Sequence, residues 1–223
     1  MSDKNENETI SNKRTIGKEN RTVEKKTSKI EFSELLCADD IEELSPRQYQ
    51  YFKGLKERRI IFNDEVDDNI IESVIIPLLS FDKDGTGEPI ELIFTTSGGE
   101  IYSGMALCDI IDRLQTPTTI TILSNAFSMG SLLAMAGYNN PKVKTVCYPY
   151  TVFLIHDGSF YLEGSAGQVR ETFIFNEKYE GMIDEYILSH SKIPSKLLEE
   201  KRNHEWYLTA QEALQYGIVN EVL

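Results

Sequence analysis

The glycine pair Gly98-Gly99 constrains this chain more than any other feature, because it closes the mostly apolar run Ile90-Glu91-Leu92-Ile93-Phe94-Thr95 and opens a helix-periodic stretch. A short apolar run of this kind reads as a strand covered on both faces, as in a parallel sheet. Parallel neighbours need a crossover, and Ile101 to Gln115 supplies one, with Leu107, Ile110, Ile111 and Leu114 at i, i+3, i+4, i+7 before Pro117 stops it. Thr118 to Ser124 is the next strand, and Ser128 to Gly137 is a helix of small and apolar residues that has to be buried. Strand, glycine turn, helix, strand, serine turn, helix predicts an α/β fold with a parallel sheet and right-handed crossovers. Ligands in such sheets collect beyond the carboxyl ends of the strands, where both Gly98-Gly99 and Ser128 fall.

The flanking segments fit one α/β domain. Residues 1–30 form a polar tail whose apolar residues are isolated, and this composition predicts disorder; the domain is expected over 31–223. Glu31 to Leu44 is an acidic, weakly amphipathic piece, and Ser45-Pro46 starts a helix that runs to Lys56. A strand over Arg59–Phe62 and a helix from Asn69 to about Ser80 follow, with Pro77 expected to kink or end the latter. Asp82 to Gly87 resembles part of a calcium loop but lacks the later acidic ligand, so it reads as a turn. Lys144 to Pro149 and Thr151 to Ile155 are two more strands, and Gln168 to Ser189 is a long helix with more apolar positions than one face needs, the mark of a helix that packs on a partner. Thr209 to Glu212 is a capping box, Gly217 a helix stop and Ile218 to Leu223 a last strand.

Charge and composition exclude several classes. Residues 1–30 hold eight Lys and Arg against five Asp and Glu, a surplus of three positive charges in a chain of net charge −13, so 31–223 carries −16. An acidic body argues against a nucleic-acid surface. No apolar run reaches the roughly 18 to 20 residues that span a bilayer, and the N-terminus has no signal core, so the expected location is the cytoplasm, away from membranes. Cys37, Cys108 and Cys147 lack metal-ligand or disulfide spacing and read as buried small hydrophobes.

A serine hydroxyl needs a histidine to take its proton and a carboxylate to orient that histidine. His190 and His204 lie in polar surroundings and read as solvated, whereas His156 ends the buried-type strand Val152-Phe153-Leu154-Ile155. A histidine there serves equally as a satisfied core residue or as a general base, and spacing alone leaves both open. The serine is not in a Gly-x-Ser-x-Gly elbow, since Ala126 stands at the first glycine position.

From about Tyr51 to Leu223 the sequence resembles the proteolytic subunit of the Clp protease. The family's Ser-Pro-Gly-Gly turn stands here as Ser97-Gly98-Gly99 after Thr96, its Ala-Ser-Met-Gly motif as Phe127-Ser128-Met129-Gly130 and its Met-Ile-His motif as Leu154-Ile155-His156. Its C-terminal signature stands as Thr209-Ala210-Gln211-Glu212-Ala213, then Tyr216-Gly217-Ile218. The resemblance implies a ClpP/crotonase-like fold of repeated β-β-α units with a parallel sheet and a protruding handle at about 158–190, including a strand over Gly164–Gly167. It implies a serine endopeptidase with Ser128 as nucleophile, His156 as general base, and the Gly99 and Met129 N–H groups as oxyanion hole, without cofactor or metal. The family's triad aspartate falls on Glu205, which keeps the charge on a longer side chain.

The resemblance further implies self-assembly into heptameric rings stacked as a tetradecamer, an AAA+ unfoldase ATPase as partner, and polypeptide substrates. At the aromatic positions with which the family docks the ATPase this chain carries Glu91, Ile93 and Arg113, so standard docking is in doubt. His204 replaces an arginine commonly used between rings. Two other functions compete: a catalytically silent ring subunit, and a crotonase-type site that binds an acyl-CoA through the same glycine turn.

Overall fold

The computed structural model of the chain describes residues 44–223, so the tail over 1–30, the acidic piece up to residue 43 and Cys37 lie outside it. Helix α1 (Pro46–Lys56) starts on a capping box in which Gln48 N–H donates to Ser45 Oγ and Ser45 N–H to the Gln48 side chain. Strand β1 (Arg59–Phe62) follows, then a π-helical turn over Ile71–Ile75 that runs into α2 (Ile76–Lys83). Pro77 neither ends nor follows the helix but stands in the first turn of α2. It has no N–H for the Ser73 carbonyl, and the Tyr51 hydroxyl donates to that carbonyl instead at 3.1 Å. The turn before it widens, with Ile76 N–H reaching back to the Ile71 carbonyl.

The expected alternation follows: β2 (Ile90–Thr96), α3 (Ile101–Ile111), β3 (Thr118–Phe127), α4 (Met129–Met135), β4 (Val143–Cys147) and β5 (Val152–Ile155). The chain continues with α5 (Ala166–Ser189), α6 (Ser195–Lys201), β6 (Trp206–Thr209), α7 (Ala210–Gln215) and β7 (Glu221–Val222). Strands β1-β2-β3-β4-β7 form a parallel sheet, and β5 lies parallel to β3 while pairing antiparallel with β6. Phe94, Ile120, Ile122, Phe153, Leu107 and Ile111 are buried in its core.

Several boundaries differ from the sequence reading for physical reasons. Helix α3 stops at Ile111 because the Asn140 amide donates to the Ile111, Asp112 and Leu114 carbonyls at 3.0 to 3.3 Å, drawing the chain out of the helix. Strand β3 runs past Ser124 to Phe127 because it changes neighbour: Thr118–Ile122 pairs with β4 and Asn125–Phe127 with β5. The strand expected over Gly164–Gly167 is absent; Ser165 caps α5 with Gln168 in a capping box, and Ala166 and Gly167 are already helical. The last strand shrinks to Glu221–Val222, and α6 and β6 had not been anticipated.

His190 is not solvated. It caps the C-terminus of α5 with its ring stacked on Tyr186 and Nε2 2.9 Å from Asp112 Oδ2, while Asp112 Oδ1 accepts the Gly137 N–H at 2.9 Å. The expected turn over Asp82–Gly87 begins later, since Asp82 and Lys83 are the last residues of α2: Asp82 accepts the Gln115 and Thr116 N–H groups, and Asp84 is held by Thr86 and Arg58. Cys108 and Cys147 are buried, and burial pushes their thiols up to about 12 and about 11, which leaves them unreactive. Among the described residues no helix is long and apolar enough to cross a membrane, and no cluster of His, Cys, Asp and Glu could hold a metal.

Candidate active site

After Thr96 pairs with Ala126, β2 leaves the sheet through Gly98 (φ 96°) and Gly99 (φ 142°), a left-handed path that favours glycine. Space demands it too. A Cβ on Gly98 would lie 2.6 Å from the Phe127 carbonyl oxygen and 2.8 Å from Ser128 Cβ, and one on Gly99 would lie 2.2 Å from the Val66 oxygen. Val66 locks the turn: its N–H donates to Gly98 O and its carbonyl accepts from Glu100 N–H, both at 2.7 Å. Nothing among the described residues accepts from the N–H of Gly99 or of Met129. Glu100 caps α3 by accepting from the Tyr102 and Ser103 N–H groups at 2.8 and 2.6 Å. Burial raises its carboxyl pKa, but these bonds outweigh burial and hold it below the usual range.

Ser128 stands at the junction of β3 and α4 with φ 54° and ψ −120°. A positive φ is costly for a residue with a Cβ, on the order of 1–3 kcal/mol, and this strained strand-to-helix turn has the form of a nucleophile elbow. The surroundings hold it. Ser128 N–H donates to Leu154 O at 2.8 Å, Ser131 N–H donates to Ser128 O at 2.9 Å, and the buried Ser131 hydroxyl lies 2.8 Å from the Ala126 and Leu154 carbonyls. Gly104 leaves room for the Met129 side chain, whose Cγ would be 2.3 Å from a Cβ there.

His156 follows β5 directly and is exposed. Since Phe127 pairs with Leu154, Ser128 and His156 leave the carboxyl ends of adjacent parallel strands. On the other side of β5 the antiparallel register ends at Ile155 with Trp206, one residue short of both His156 and Glu205. Trp206 is buried while Glu205 and Tyr207 are exposed, in the alternation of a half-covered strand. The Tyr207 hydroxyl donates to Glu205 Oε2 at 2.7 Å, and this bond raises the phenol pKa.

Gly99, Ser128, Met129 and His156 line one cleft of about 590 Å³, closed on its other side by α5 and α6. Glu205 does not line the cleft. Among the described residues no hydrogen bond joins Ser128 to His156 or His156 to Glu205. Of the two alternative carboxylates, Asp157 lines the cleft with Oδ2 accepting the Asn203 N–H, whereas Glu200 does not line it and faces Lys196 at 3.8 Å. A larger cleft of about 890 Å³, between α1 and residues 61–73, holds neither a histidine nor a reactive serine turn. Sequence reasoning missed Glu180, Asp184 and Arg202, which line the smaller cleft. For Glu180 the available signal is its helical spacing with Asn176 and Ile183 on α5; Arg202 lies beyond that helix and has no such period.

Comparison with known proteins agrees with this frame. Residues 43–223 match the Clp protease family. The ATP-dependent Clp protease proteolytic subunit of Deinococcus radiodurans is similar, 27% identical over 178 residues that span 79% of this chain and 86% of that protein. With an α/β frame of mostly parallel strands and a family match that runs to the last residue, the chain belongs, as a divergent member, to the Clp protease family of peptide hydrolases.

Proposed function

We propose that this chain is a serine endopeptidase of the Clp type. Ser128 Oγ attacks the substrate carbonyl as His156 takes its proton, and the tetrahedral oxyanion accepts from the Gly99 and Met129 N–H groups. His156 then returns the proton to the leaving amine, and water hydrolyses the acyl-enzyme by the same route. Glu205 and His156 each lie one residue beyond the last pair of the β5–β6 register, and Glu205 orients the imidazole through its free oxygen while Tyr207 holds the other. The observation that carries this reading is the convergence of Ser128, in its positive-φ turn, with His156 and two unengaged N–H groups in one cleft. Labelling by a fluorophosphonate probe tests it. The expected result is stoichiometric labelling abolished by Ser128→Ala, with turnover lowered about 10²–10⁴-fold by Glu205→Ala and largely kept by Glu205→Asp. Unchanged turnover in Glu205→Ala, with Ser128→Ala dead, would move the acid's role to Asp157 or Glu200.

The proposal extends to assembly. Phe173, Ile174, Phe175 and Met182 of α5 are exposed and apolar, which suits a handle between two heptameric rings enclosing a chamber for unfolded polypeptides in the cytoplasm. The peptidase domain would begin near residue 31, behind a polar tail. An AAA+ unfoldase would have to dock differently from the family's usual mode, since Glu91 is paired with Arg59 at 2.5 Å and Arg113 with Asp109 at 3.0 Å where aromatic contacts would stand. A second reading is a catalytically silent ring subunit, favoured by the Glu205–Tyr207 bond and the unjoined Ser128 and His156. Absence of probe labelling in a correctly assembled ring would select it.

A further inference from the structure

One stripe of α5 forms the wall of the cleft opposite Ser128. Thr172, Asn176, Glu180, Ile183 and Ile187 recur at i, i+4, i+8, i+11 and i+15, a single helical face. Chemistry changes along it. Ile183 and Ile187, with Leu132, Ile155 and Leu198 from neighbouring elements, make an aliphatic floor, and Glu180 stands one turn further toward the N-terminus of α5.

The other charges of the cleft are already engaged. Asp184 is bound by Arg202 Nη2, and Arg202 Nε–H donates to Glu199 at 2.6 Å. Asp157 accepts the Asn203 N–H, Glu100 caps α3, and the Lys201 ammonium lies 5.6 Å from the centre of the Trp206 ring. Glu180 is the carboxylate of the cleft with neither a hydrogen bond nor an ion pair among the described residues. It is half-buried, and burial, then the charge of Asp157, raises its pKa despite the nearby Arg202. A carboxylate in that position is stabilised by an incoming cation.

We propose that Glu180 is the specificity determinant of a subsite that takes a lysine or arginine side chain from the residue whose carbonyl Ser128 attacks. The aliphatic stem of such a residue lies over Ile183 and Ile187, and its cationic head meets the Glu180 carboxylate. Because the cleft shields the pair from solvent on several sides, it exceeds an exposed ion pair and favours the cationic side chain by about tenfold over a neutral one of the same length. The inference rests on the serine peptidase reading, but it can fail separately from it.

The test uses the full chain and fluorogenic peptides that differ only at the residue before the scissile bond: lysine, norleucine or glutamate. The expected ratio of kcat/KM for lysine over norleucine is about ten. Glu180→Gln brings it near one, Glu180→Asp keeps part of it, and Glu180→Lys moves the preference to the glutamate peptide. A wild-type ratio of one or below, or a ratio unmoved in Glu180→Gln, overturns the proposal. Affinity of the same peptides for Ser128→Ala, by fluorescence anisotropy, separates the two readings. Glu180-dependent binding of the lysine peptide without turnover in the wild type removes Ser128 as nucleophile and upholds the subsite. Turnover without a lysine preference does the reverse.

Discussion

Gly98 is the residue on which the chemistry of this chain is most sharply poised. It touches the Phe127 carbonyl and Ser128 Cβ so closely that no side chain fits, and its φ of 96° is a second, independent barrier. Under the proposed serine mechanism, Gly98→Ala is expected to lower turnover by at least about 10²-fold by moving both the serine and the Gly99 N–H, the scale on which loss of an oxyanion donor acts. Steady-state peptide hydrolysis compared with probe labelling checks it, since a misplaced oxyanion donor slows both while a folding defect removes soluble protein. Glu100, next along the turn, has a depressed carboxyl pKa, so it contributes stability that is complete above its unfolded value near 4 and lost as pH falls through the folded one. Glu100→Ala should cost about 1 kcal/mol at neutral pH, with the gap in melting temperature closing in acid. Glu180 has the opposite sign. Its raised pKa makes its ionisation unfavourable to the fold, so Glu180→Gln should raise the melting temperature at pH 7 even as it removes the lysine preference.

Among the elements, those that carry the glycine turn, the serine and His156 were legible in the sequence because each has a period: apolar β2, the i, i+3, i+4, i+7 stripe of α3, and β5 ending on a histidine. Helix α6 and strand β6 were not, and the reason is context rather than length, since β1 and β5 are as short as β6. Residues 195–205 are rich in charged and polar side chains, and Trp206 and Leu208 alternate with Tyr207 as a strand should only once β5 is there to pair with them. The consequence falls on Glu205, whose proposed role rests on resemblance and on a position one residue before the last β5–β6 pair, as His156 lies one residue after it. His190 was misread because its partner lies 78 residues away in sequence. Its bond to Asp112, which also holds Gly137 N–H, ties the end of α5 to the ends of α3 and α4. Asp112→Ala leaves both donors without a partner in a largely buried site, which predicts a loss of about 1–3 kcal/mol, measurable by urea denaturation. If α5 is anchored there, Asp112→Ala should also weaken the lysine preference, since Ile183 and Glu180 ride on the same helix.

For the molecule as a whole, helix α5 faces two ways. The stripe through Asn176, Glu180 and Ile183 closes the cleft, while Ile174, Phe175 and Met182 stand 49 to 58% exposed. In the sequence both sets merge into one surplus of apolar residues, so the excess was legible but its division was not. Apolar side chains exposed to that degree on a long helix are a cost in water that a partner surface removes. Phe173 and Phe160 already pair at 6.4 Å between ring centres, as do Phe175 and Tyr179 at 6.0 Å, which gives the exposed edge a preformed aromatic ridge. A ridge used between rings should be sensitive to charge, because an aspartate buried in that contact would be left unpaired. If the chain assembles as the proposed double ring, Ile174→Asp combined with Phe175→Asp is expected to convert it into single rings by native mass spectrometry, without removing the fold. Ser128 would remain present, but probe labelling should slow, because α5 carries one wall of the cleft and would lose the support of an opposite ring. Persistence of the double ring in that variant would show that the exposed ridge serves another surface.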